Sequence, residues 1–595
     1  MRRSIVLVFV AAMAALGIWF GLRAPSSKSA GSEVAALLPA ETVALLHLPD
    51  FSRTRSQWHQ SELYKLWREP ELQEFLQKPL AGRPAMASAE QKVAQLDQLQ
   101  IKDAFLAITS WENQQLKMAA GCRFKGTAAD AEKVIGIWRA RLPQDTSKFE
   151  TVTYQRHQID VITRGTLTFA KVLAGNWFLA ANDLETLQRL LDRIDQRTND
   201  PASTLQADAS FAAALKHMPA GYALLGYARV DRYLEKLTGA LPPDALGAQQ
   251  LAALREVRSI SGATAFEEGR VRDVLFVAMP KAARLPRLGR SSLTLGTKDT
   301  FLYMAAVLAL ADPERLQNLA TGNPRASGFL QNMMASFAAR GISLGDWKAA
   351  FQPELSVLGI WPESTRWPAL FASLPVKDAE KARAIVSAIT TDPVANPWTA
   401  TERDGVEYFT QPPSSPMVPV APTLAVANQL LVLGLDLASV EAAIKRAAPG
   451  AGGDLAGEQR FQAAAALVPA PEQSFIYVDT AMLYQRIDAA VRPMLVMAAA
   501  FMPAIADTVD LAKLPAADVI TRHLTPLVIS QNYQDDGYLT SSIGPISVYQ
   551  AVAGIAGISG AGASFYQRQA GGAAFTGGLP IVPVASPTQA ADETP

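Results

Sequence analysis

One serine of this 595-residue chain lies in a pattern associated with nucleophilic catalysis. Residues 341–345 (GISLG) fit GxSxG, in which the serine occupies a sharp turn between a strand and a helix. Residues 329–340, just before it, have the apolar spacing of a helix. We therefore interpret Gly341 as the end of that helix and the match as coincidental. The chain has no Ser-x-x-Lys pair, so a Ser–Lys hydrolase is not predicted either.

The histidines form no metal-binding pattern. A zinc site needs at least three converging ligands, but the sequence has neither HExxH nor clustered histidines. The five histidines are His47, His59, His157, His217 and His523. We predict structural or surface roles for them and no metal site.

Two pairs of acidic residues could serve acid–base or calcium chemistry, at Glu267-Glu268 and Asp535-Asp536. A glycine follows each pair, and the flanking residues have strand character. An acidic residue before glycine is typical of a hairpin turn, so we predict turns at both places. Neither a GxGxxG nor a Walker sequence is present. No catalytic residue and no cofactor is predicted.

Three tryptophans, Trp361, Trp367 and Trp398, lie in a proline-rich neighbourhood. If exposed, their rings could stack on a sugar or hold a peptide, because tryptophan combines a large apolar face with a polar edge. The alternative is that they are partly buried in the core. They are the candidate binding face of the sequence.

The composition indicates a folded protein whose positive and negative charges balance, so that it has no strong net electrostatic field. Hydrophobic residues make up 49% of the chain, and 55 Lys and Arg balance 55 Asp and Glu. Such a balance gives no attraction for nucleic acid, and we predict none as a partner. Cys122 is the single cysteine, which excludes an internal disulfide. The length favours at least two domains.

The N-terminal residues 1–23 have the layout of a membrane anchor. Residues 4–22 are uncharged, and their length as a helix is close to the roughly 30 Å hydrocarbon core of a bilayer. We predict a retained signal anchor, with signal cleavage and secretion as the alternative, and a linker over residues 24–37. Gly17 and Gly21 form a GxxxG pair through which two such helices could make a homodimer.

The sequence pattern of the rest of the chain indicates one module that occurs twice. Residues 172–193 resemble residues 424–446, with Asn176 and Asn428 at a spacing of 252 residues (428 − 176). Residues 130–133 and 378–381 are both DAEK. Consecutive hairpins outnumber strand–helix–strand units, which favours antiparallel sheets. We predict an α+β protein of two tandem duplicated modules, at 38–290 and 297–545, each an antiparallel sheet with packed helices behind an N-terminal membrane helix.

Two segments follow the second module. Residues 546–566 are uncharged and long enough to span a bilayer, but they are mostly Gly, Ala and Ser, which favour insertion weakly. A second membrane segment and a surface-packed segment both remain open. The Gly-, Ala- and Pro-rich residues 567–595 are predicted to be disordered.

Short motifs carry a resemblance to a known family. They are residues 38–42 (LPAET), Leu63-Tyr64, Glu71-Leu72, residues 376–381 (VKDAEK), 477–479 (YVD) and 522–524 (RHL), Asp536-Gly537 and Gly544-Pro545. In these the chain resembles a bacterial family of envelope proteins, the domain of unknown function three-three-five-two. The resemblance spans residues 38 to about 548 and implies an envelope location and this architecture, without any activity or catalytic residues.

The anchor, the repeat and the missing catalytic pattern together favour one function. We expect a non-catalytic periplasmic module, anchored once or twice in the bacterial inner membrane, that binds another envelope protein. One alternative is a divergent envelope hydrolase with its site between the modules. A second is a carrier of a lipid or small ligand, which would need an apolar cavity.

Overall fold

The computed structural model describes residues 30–81, 99–112, 115–127, 129–132, 148–164, 167–198, 200–234, 236, 254–280, 285–307, 335, 337–391, 398–413, 420–448, 455–501 and 510–548. The chain divides into two compact units, Met1–Ser547 and Val548–Pro595, and the elements below belong to the first. We call residues 30–280 the N-terminal half and residues 285–547 the C-terminal half.

The N-terminal half begins with helices and continues mainly as hairpins. Its elements are α1 (Ala30–Leu37), β1 (Ala44–Asp50), α2 (Phe51–Gln60), α3 (Glu62–Trp67), α4 (Pro70–Ala81), β2 (Lys102–Glu112), β3 (Gln115–Arg123), β4 (Lys148–Tyr154), β5 (His157–Arg164), β6 (Leu167–Ala174), β7 (Trp177–Ala181), α5 (Leu184–Ile194), α6 (Ala209–His217), β8 (Leu224–Arg229), β9 (Ser259–Glu267) and β10 (Arg270–Ala278).

The C-terminal half has a similar succession of elements. They are β11 (Thr300–Val307), α7 (Leu344–Ala350), β12 (Glu354–Ile360), β13 (Ala369–Pro375), α8 (Ala379–Thr390), β14 (Thr399–Arg403), β15 (Val406–Thr410), β16 (Thr423–Ala427), β17 (Leu430–Gly434), α9 (Leu437–Arg446), α10 (Gln459–Ala465), β18 (Ser474–Val478), α11 (Thr480–Phe501), α12 (Ala517–Thr521), β19 (Leu527–Gln534) and β20 (Gly537–Gly544). Short 3-10 turns lie at Pro201–Ser203, Leu205–Ala207, Ser291–Leu295, Leu455–Gly457 and Leu511–Lys513.

All these strands belong to one 20-stranded sheet, and the described strand pairs are antiparallel. From one edge the order is β4-β5-β6-β7-β3-β2-β1-β8-β9-β10. From the other edge it is β14-β15-β16-β17-β13-β12-β11-β18-β19-β20. The two orders are the same once ten is added to each strand number of the first.

The two halves meet where β10 pairs with β20. Eight residue pairs join these strands, from Val271 opposite Gly544 to Ala278 opposite Gly537. Arg272 reinforces the junction, since its guanidinium donates to the Leu467 carbonyl at 3.0 Å. The sheet is therefore continuous from the N-terminal to the C-terminal half.

The helices begin at acidic caps and cover both faces of the sheet. Asp183 and Asp436 each accept a backbone N–H at the start of α5 and α9, where an anion also complements the helix dipole. Neighbouring residues of a strand point to opposite faces. On β17, Val432 packs in a cluster with α9, whereas Leu431 packs in a cluster with α8. α8 and α9 therefore lie on opposite faces.

The structure does not support the transmembrane and signal-anchor predictions, and we correct them. Among the described residues, no helix is both long enough and apolar enough to cross a membrane. α11 has 22 residues, but Arg486, Asp488 and Arg492 lie within it, and charges are costly in a bilayer core. Residues 1–23, with Gly17 and Gly21, and residues 549–595 lie outside the described residues. Of the predicted linker, residues 30–37 form α1, with Val34 and Ala35 fully buried.

Candidate functional site

Ser343, the serine of the GxSxG match, caps a helix. Its Oγ accepts the Asp346 backbone N–H at 3.1 Å and donates to Asp346 Oδ2 at 2.6 Å. The Asp346 carboxylate also accepts the Ser343 backbone N–H, which completes a capping box at the start of α7. These hydrogen bonds hold the pKa of Asp346 below its usual value. The residues around Ser343 thus serve helix initiation.

The five histidines lie in five different surroundings. His157 Nε2 is 2.9 Å from Asp195 Oδ2, and the His217 ring stacks on Phe276 with centroids 4.0 Å apart. The other three are His47, His59 and His523, of which His47 is fully buried. Within the described ranges, no three His, Cys, Asp or Glu side chains are placed to hold a metal ion.

The acidic pairs lie in hairpin turns. Glu268 and Asp535 have left-handed φ values of 50° and 53°, and Gly269 follows Glu268 with a φ of 81°. Arg270 and His217 lie beside these carboxylates, at 2.5 Å from Glu268 and 3.4 Å from Asp535. Both pairs therefore serve the turns that close β9–β10 and β19–β20.

The candidate tryptophans have unequal exposure. Trp361 is only 5% exposed, its ring packs edge-on against Phe301, and its Nε1 donates to the Thr365 carbonyl. Trp398 packs with the cluster under α8. Trp367 is 54% exposed, and the Arg366 guanidinium lies 5.4 Å from its ring centroid. Of the three rings, the one accessible for stacking is that of Trp367.

A buried polar cluster on β1 and β2 has no counterpart in the sequence reasoning. His47 Nδ1 is 2.9 Å from the Tyr222 hydroxyl, and His47 Nε2 is 3.7 Å from Asp103 Oδ1. Arg123 pairs with the other Asp103 oxygen at 2.5 Å. Burial raises the pKa of Tyr222 above its usual range, with a contribution from Asp103. Because His47, Asp103 and Tyr222 are all buried, this cluster is closed to a substrate.

An open cavity of about 710 Å³ lies at the start of α2. We call it the basic hollow, because its described lining contains Arg53, Arg55, His59, Lys102 and Lys125 but one carboxylate, that of Asp50. Ser52, Ser56 and Gln100 complete the lining. This concentration of positive charge occurs in a chain whose formal net charge is zero.

Three segments of backbone converge to form the basic hollow. The Phe51 N–H donates to the Ile101 carbonyl, and the Lys125 N–H donates to the Leu99 carbonyl, both at 3.0 Å. These bonds bring the start of α2, the start of β2 and the residue after Phe124 together. The convergence depends on strand pairing between distant parts of the chain.

Asp50 has two structural roles at the rim of the basic hollow. Its Oδ1 accepts the Arg53 backbone N–H at 3.0 Å and so caps α2. Its Oδ2 pairs with Lys102 Nζ at 2.8 Å. Burial lowers the pKa of Arg53, which the Asp50 charge offsets in part. The Asp50 carboxylate thus already accepts a backbone N–H at the start of α2, so a ligand in the basic hollow would be bound by side chains.

Lys125 and Arg53 keep their donors available. Lys125 is exposed, and neither its ammonium nor the Arg53 guanidinium pairs with an acidic residue of the described ranges. A cationic cavity of this kind attracts anions and holds them by charge-assisted hydrogen bonds. The basic hollow is therefore our candidate functional site, as a binding site for an acidic group.

Comparison with known proteins yields weak likenesses. No protein-family model matches the chain, and no curated protein matches it. Among solved structures, crystal forms III and I of TP0453 each have 7% sequence identity and a TM-score of 0.22, over 42% of this chain and 81% and 80% of theirs. Crystal form IV has 8% identity and a TM-score of 0.21, over 44% and 83% of the respective chains. Likenesses of this level carry no argument about fold or function.

Proposed function

We propose that this protein is a non-catalytic binding module of the bacterial cell envelope, and that its basic hollow holds an acidic group of its partner. The observation that carries the proposal is the described lining of that cavity, which has four permanent cations and one carboxylate. A partner with clustered negative charge would be steered towards such a surface.

The use of the reactive side chains supports a binding role over a catalytic one. Ser343 caps a helix, His157 pairs with Asp195, and Asp103 is buried against His47 and Arg123. No described feature favours a hydrolase between the halves, where β10 and β20 pair directly. The basic hollow is lined by charged and polar side chains, whereas a lipid carrier would need an apolar cavity.

We also propose that the two halves are tandem copies of one module. Support comes from the matching strand orders and from equivalent backbone bonds after β3 and β13. The Phe124 N–H donates to the Asn176 carbonyl, and the Val376 N–H donates to the Gln429 carbonyl. An experimental structure in which β1–β10 fails to superpose on β11–β20 would overturn this proposal.

The binding proposal is tested with a panel of anionic probes. Calorimetry on the full chain would measure binding of polyglutamate and of inorganic pyrophosphate, with the variant Arg53→Gln/Lys125→Gln for comparison. We expect at least one probe to bind with defined stoichiometry and to weaken in the variant. Binding of neither probe, or binding that the variant leaves unchanged, would refute the proposal.

A further inference from the structure

We infer that β4 is a docking edge for a second copy of this chain, and that two chains join their sheets there as an antiparallel pair centred on Phe149. The site is separate from the basic hollow and does not depend on the proposed function. β10, which pairs with β20, lies at the other end of the strand order of the N-terminal half and is not involved. Three features of β4 support this pairing: its open backbone edge, an exposed aromatic ring and two charges of opposite sign.

β4 is the outer strand of the N-terminal half. It pairs with β5 along its length, and it has no second partner among the described strands. Tyr154 and His157 flank the two-residue turn between β4 and β5, so they form a hydrogen-bonded pair, and every second pair along the ladder does the same. The backbone N–H and C=O groups of Phe149, Thr151 and Thr153 therefore point away from β5, towards an edge where a further strand can pair.

An apolar row of side chains ends at this edge. Phe149 lies opposite Ile162 of β5, which lies opposite Phe169 of β6, so the three side chains share one face of the sheet. Phe149 is 57% exposed and Phe169 is 45% exposed. Pairing of two copies about Phe149 joins the two rows end to end and brings the two Phe149 rings together, and aromatic cross-strand pairs stabilise a sheet.

The charges of β4 complement each other under two-fold symmetry. Lys148 and Glu150 flank Phe149, both are exposed, and neither pairs with a charged group of the described residues. With the two-fold axis at Phe149, Lys148 of each chain lies opposite Glu150 of the other chain. These are non-hydrogen-bonded positions, where side chains approach most closely and opposite charges stabilise the pairing. A two-fold contact requires such self-complementarity.

The outer strand of the C-terminal half, β14, lacks these features. Trp398 corresponds to Phe149, because each lies five residues before its hairpin turn (403 − 398 and 154 − 149). Trp398, however, is partly buried in the cluster under α8, and Thr399 takes the place of Glu150. One docking edge per chain closes the assembly as a dimer, whereas two would extend it further.

Sedimentation velocity on the full chain tests the inference through two charge reversals. Lys148→Glu and Glu150→Lys each turn both cross-strand pairs of the dimer from attraction to repulsion. We expect the unmodified protein to be dimeric at about 100 µM, and each variant to dimerise at least about tenfold more weakly. Circular dichroism and thermal unfolding would verify that the variants are folded.

The two-fold register also predicts that dimerisation can be rescued. An equimolar mixture of the Lys148→Glu and Glu150→Lys chains should form a mixed dimer, because both cross-strand pairs are then of opposite charge. The double variant Lys148→Glu/Glu150→Lys should dimerise with itself as the unmodified protein does. Absence of both rescues would overturn the inference, since it would show that these residues do not face each other.

Phenylalanine substitutions separate the edge from the rest of the apolar row. Phe149→Ser should weaken dimerisation at least about tenfold, because it removes the ring at the two-fold axis from both chains. Phe169→Ser is the control, since Phe169 is exposed on the same face but lies two strands from the edge. Equal weakening by both substitutions would contradict a contact centred on Phe149.

The oligomeric state itself decides the occupant of the edge. A dimer that responds to the β4 variants as stated supports a second copy of this chain. A chain that stays monomeric at about 100 µM would overturn the inference and leave the edge to a strand of a different protein. A dimer that no β4 variant weakens would overturn it as well, because the contact would then lie elsewhere.

Discussion

Each half has an ion pair at the same point of the sheet with the signs exchanged, buried on both sides in the N-terminal half but with a 61% exposed arginine in the C-terminal half. At the end of β8, Arg229 pairs with Asp208 at the start of α6, at 2.7 Å. After β18, Asp479 pairs with Arg460 in α10, at 2.6 Å. Arg229 and Asp479 occupy corresponding positions at the ends of β8 and β18, so the two halves form an ion pair there with opposite polarity.

The first prediction concerns Arg229, whose side chain also meets Asp231 at 2.9 Å. We expect Arg229→Met to lower the free energy of unfolding by about 1–3 kcal/mol, because the buried Asp208 would lose its nearest cation and keep only the more exposed Arg232, at 3.4 Å. Urea denaturation measures the loss. Arg189→Met, which breaks an exposed pair with Glu185, is the control and should change stability little. Equal losses in both would mean that burial of the pair is irrelevant.

His523 joins the two halves through carboxylates of α3 and of the residue before α4. Its Nδ1 is 2.9 Å from Glu62 Oε2, and its Nε2 is 2.7 Å from Glu69 Oε1. Both ring nitrogens thus lie within hydrogen-bonding distance of a carboxylate oxygen. Arg522, 3.4 Å from Glu69, adds positive charge to the same contact.

The second prediction follows from the pKa of Glu62. Burial alone would raise that pKa, but hydrogen bonds from Lys65 and His523 outweigh it and lower it. A carboxyl whose pKa is lowered by folding stabilises the fold at pH values above its pKa in the unfolded chain, which is about 4.3. This contribution is lost as the pH falls through the pKa of the folded state. We expect urea midpoints to decrease on acidification below about pH 4.3, and less steeply in Glu62→Gln.

Glu71→Gln is the control for this pH dependence, because Glu71 is exposed and pairs with no cation of the described residues. Its acid profile should follow that of the unmodified protein. Identical profiles for Glu62→Gln and Glu71→Gln would show that the contact with His523 does not contribute.

At the scale of the element, β20 begins with a glycine, Gly537, at a position where β10 leaves no room for a side chain. A Cβ on Gly537 would lie 2.5 Å from the Val277 carbonyl oxygen and 2.7 Å from a ring carbon of Phe276. We therefore expect Gly537→Ala to destabilise the β10–β20 pairing by about 1–3 kcal/mol, the usual cost of overpacking, measured by thermal unfolding. Gly226→Ala on β8 is the control, since the nearest atom, the Gly262 carbonyl oxygen, is 3.9 Å away.

Elements with a local signal were predictable from the sequence. The residues from 166 to 181 predict a hairpin that turns at Gly175-Asn176, which the β6–β7 pairing confirms. Residues 184–193 predict a helix, which α5 confirms. The apolar spacing of residues 61–76 predicts a single helix, and this prediction is wrong, because α3 ends at Trp67 and α4 begins at Pro70. Proline lacks an N–H and suits the first turn of a helix, so it starts a new one there.

The candidate site was not predictable, because its residues meet only through tertiary structure. The basic hollow combines residues 50–59, 100–102 and 125, and no local spacing connects them. Likewise, His47 and Tyr222 are 175 positions apart and touch because β8 pairs with β1. Sequence periodicity reports which face of a strand is buried, but not which strand lies beside it.

At the scale of the whole molecule, each half covers the edge strand of the other, because β10 pairs with β20. β10 would be an unpaired edge strand without β20, and its sequence, RVRDVLFVA, is largely apolar. Unpaired apolar edges recruit other strands. We expect residues 30–280 expressed alone to self-associate, and to form a one-to-one complex when residues 285–548 are co-expressed. Light scattering after size exclusion measures both, and a monomeric N-terminal fragment would contradict the expectation.

The position of β20 also sets the timing of biosynthesis. β10 ends at Ala278, but its partner begins at Gly537, 259 residues later (537 − 278). At roughly 5–20 residues per second, the ribosome needs about 13 to 52 s to make that interval. During this time the nascent N-terminal half presents β10 without its partner strand. Until the final strand emerges, that edge is open to pairing with other chains, and a chaperone that covered β10 would reduce the hazard.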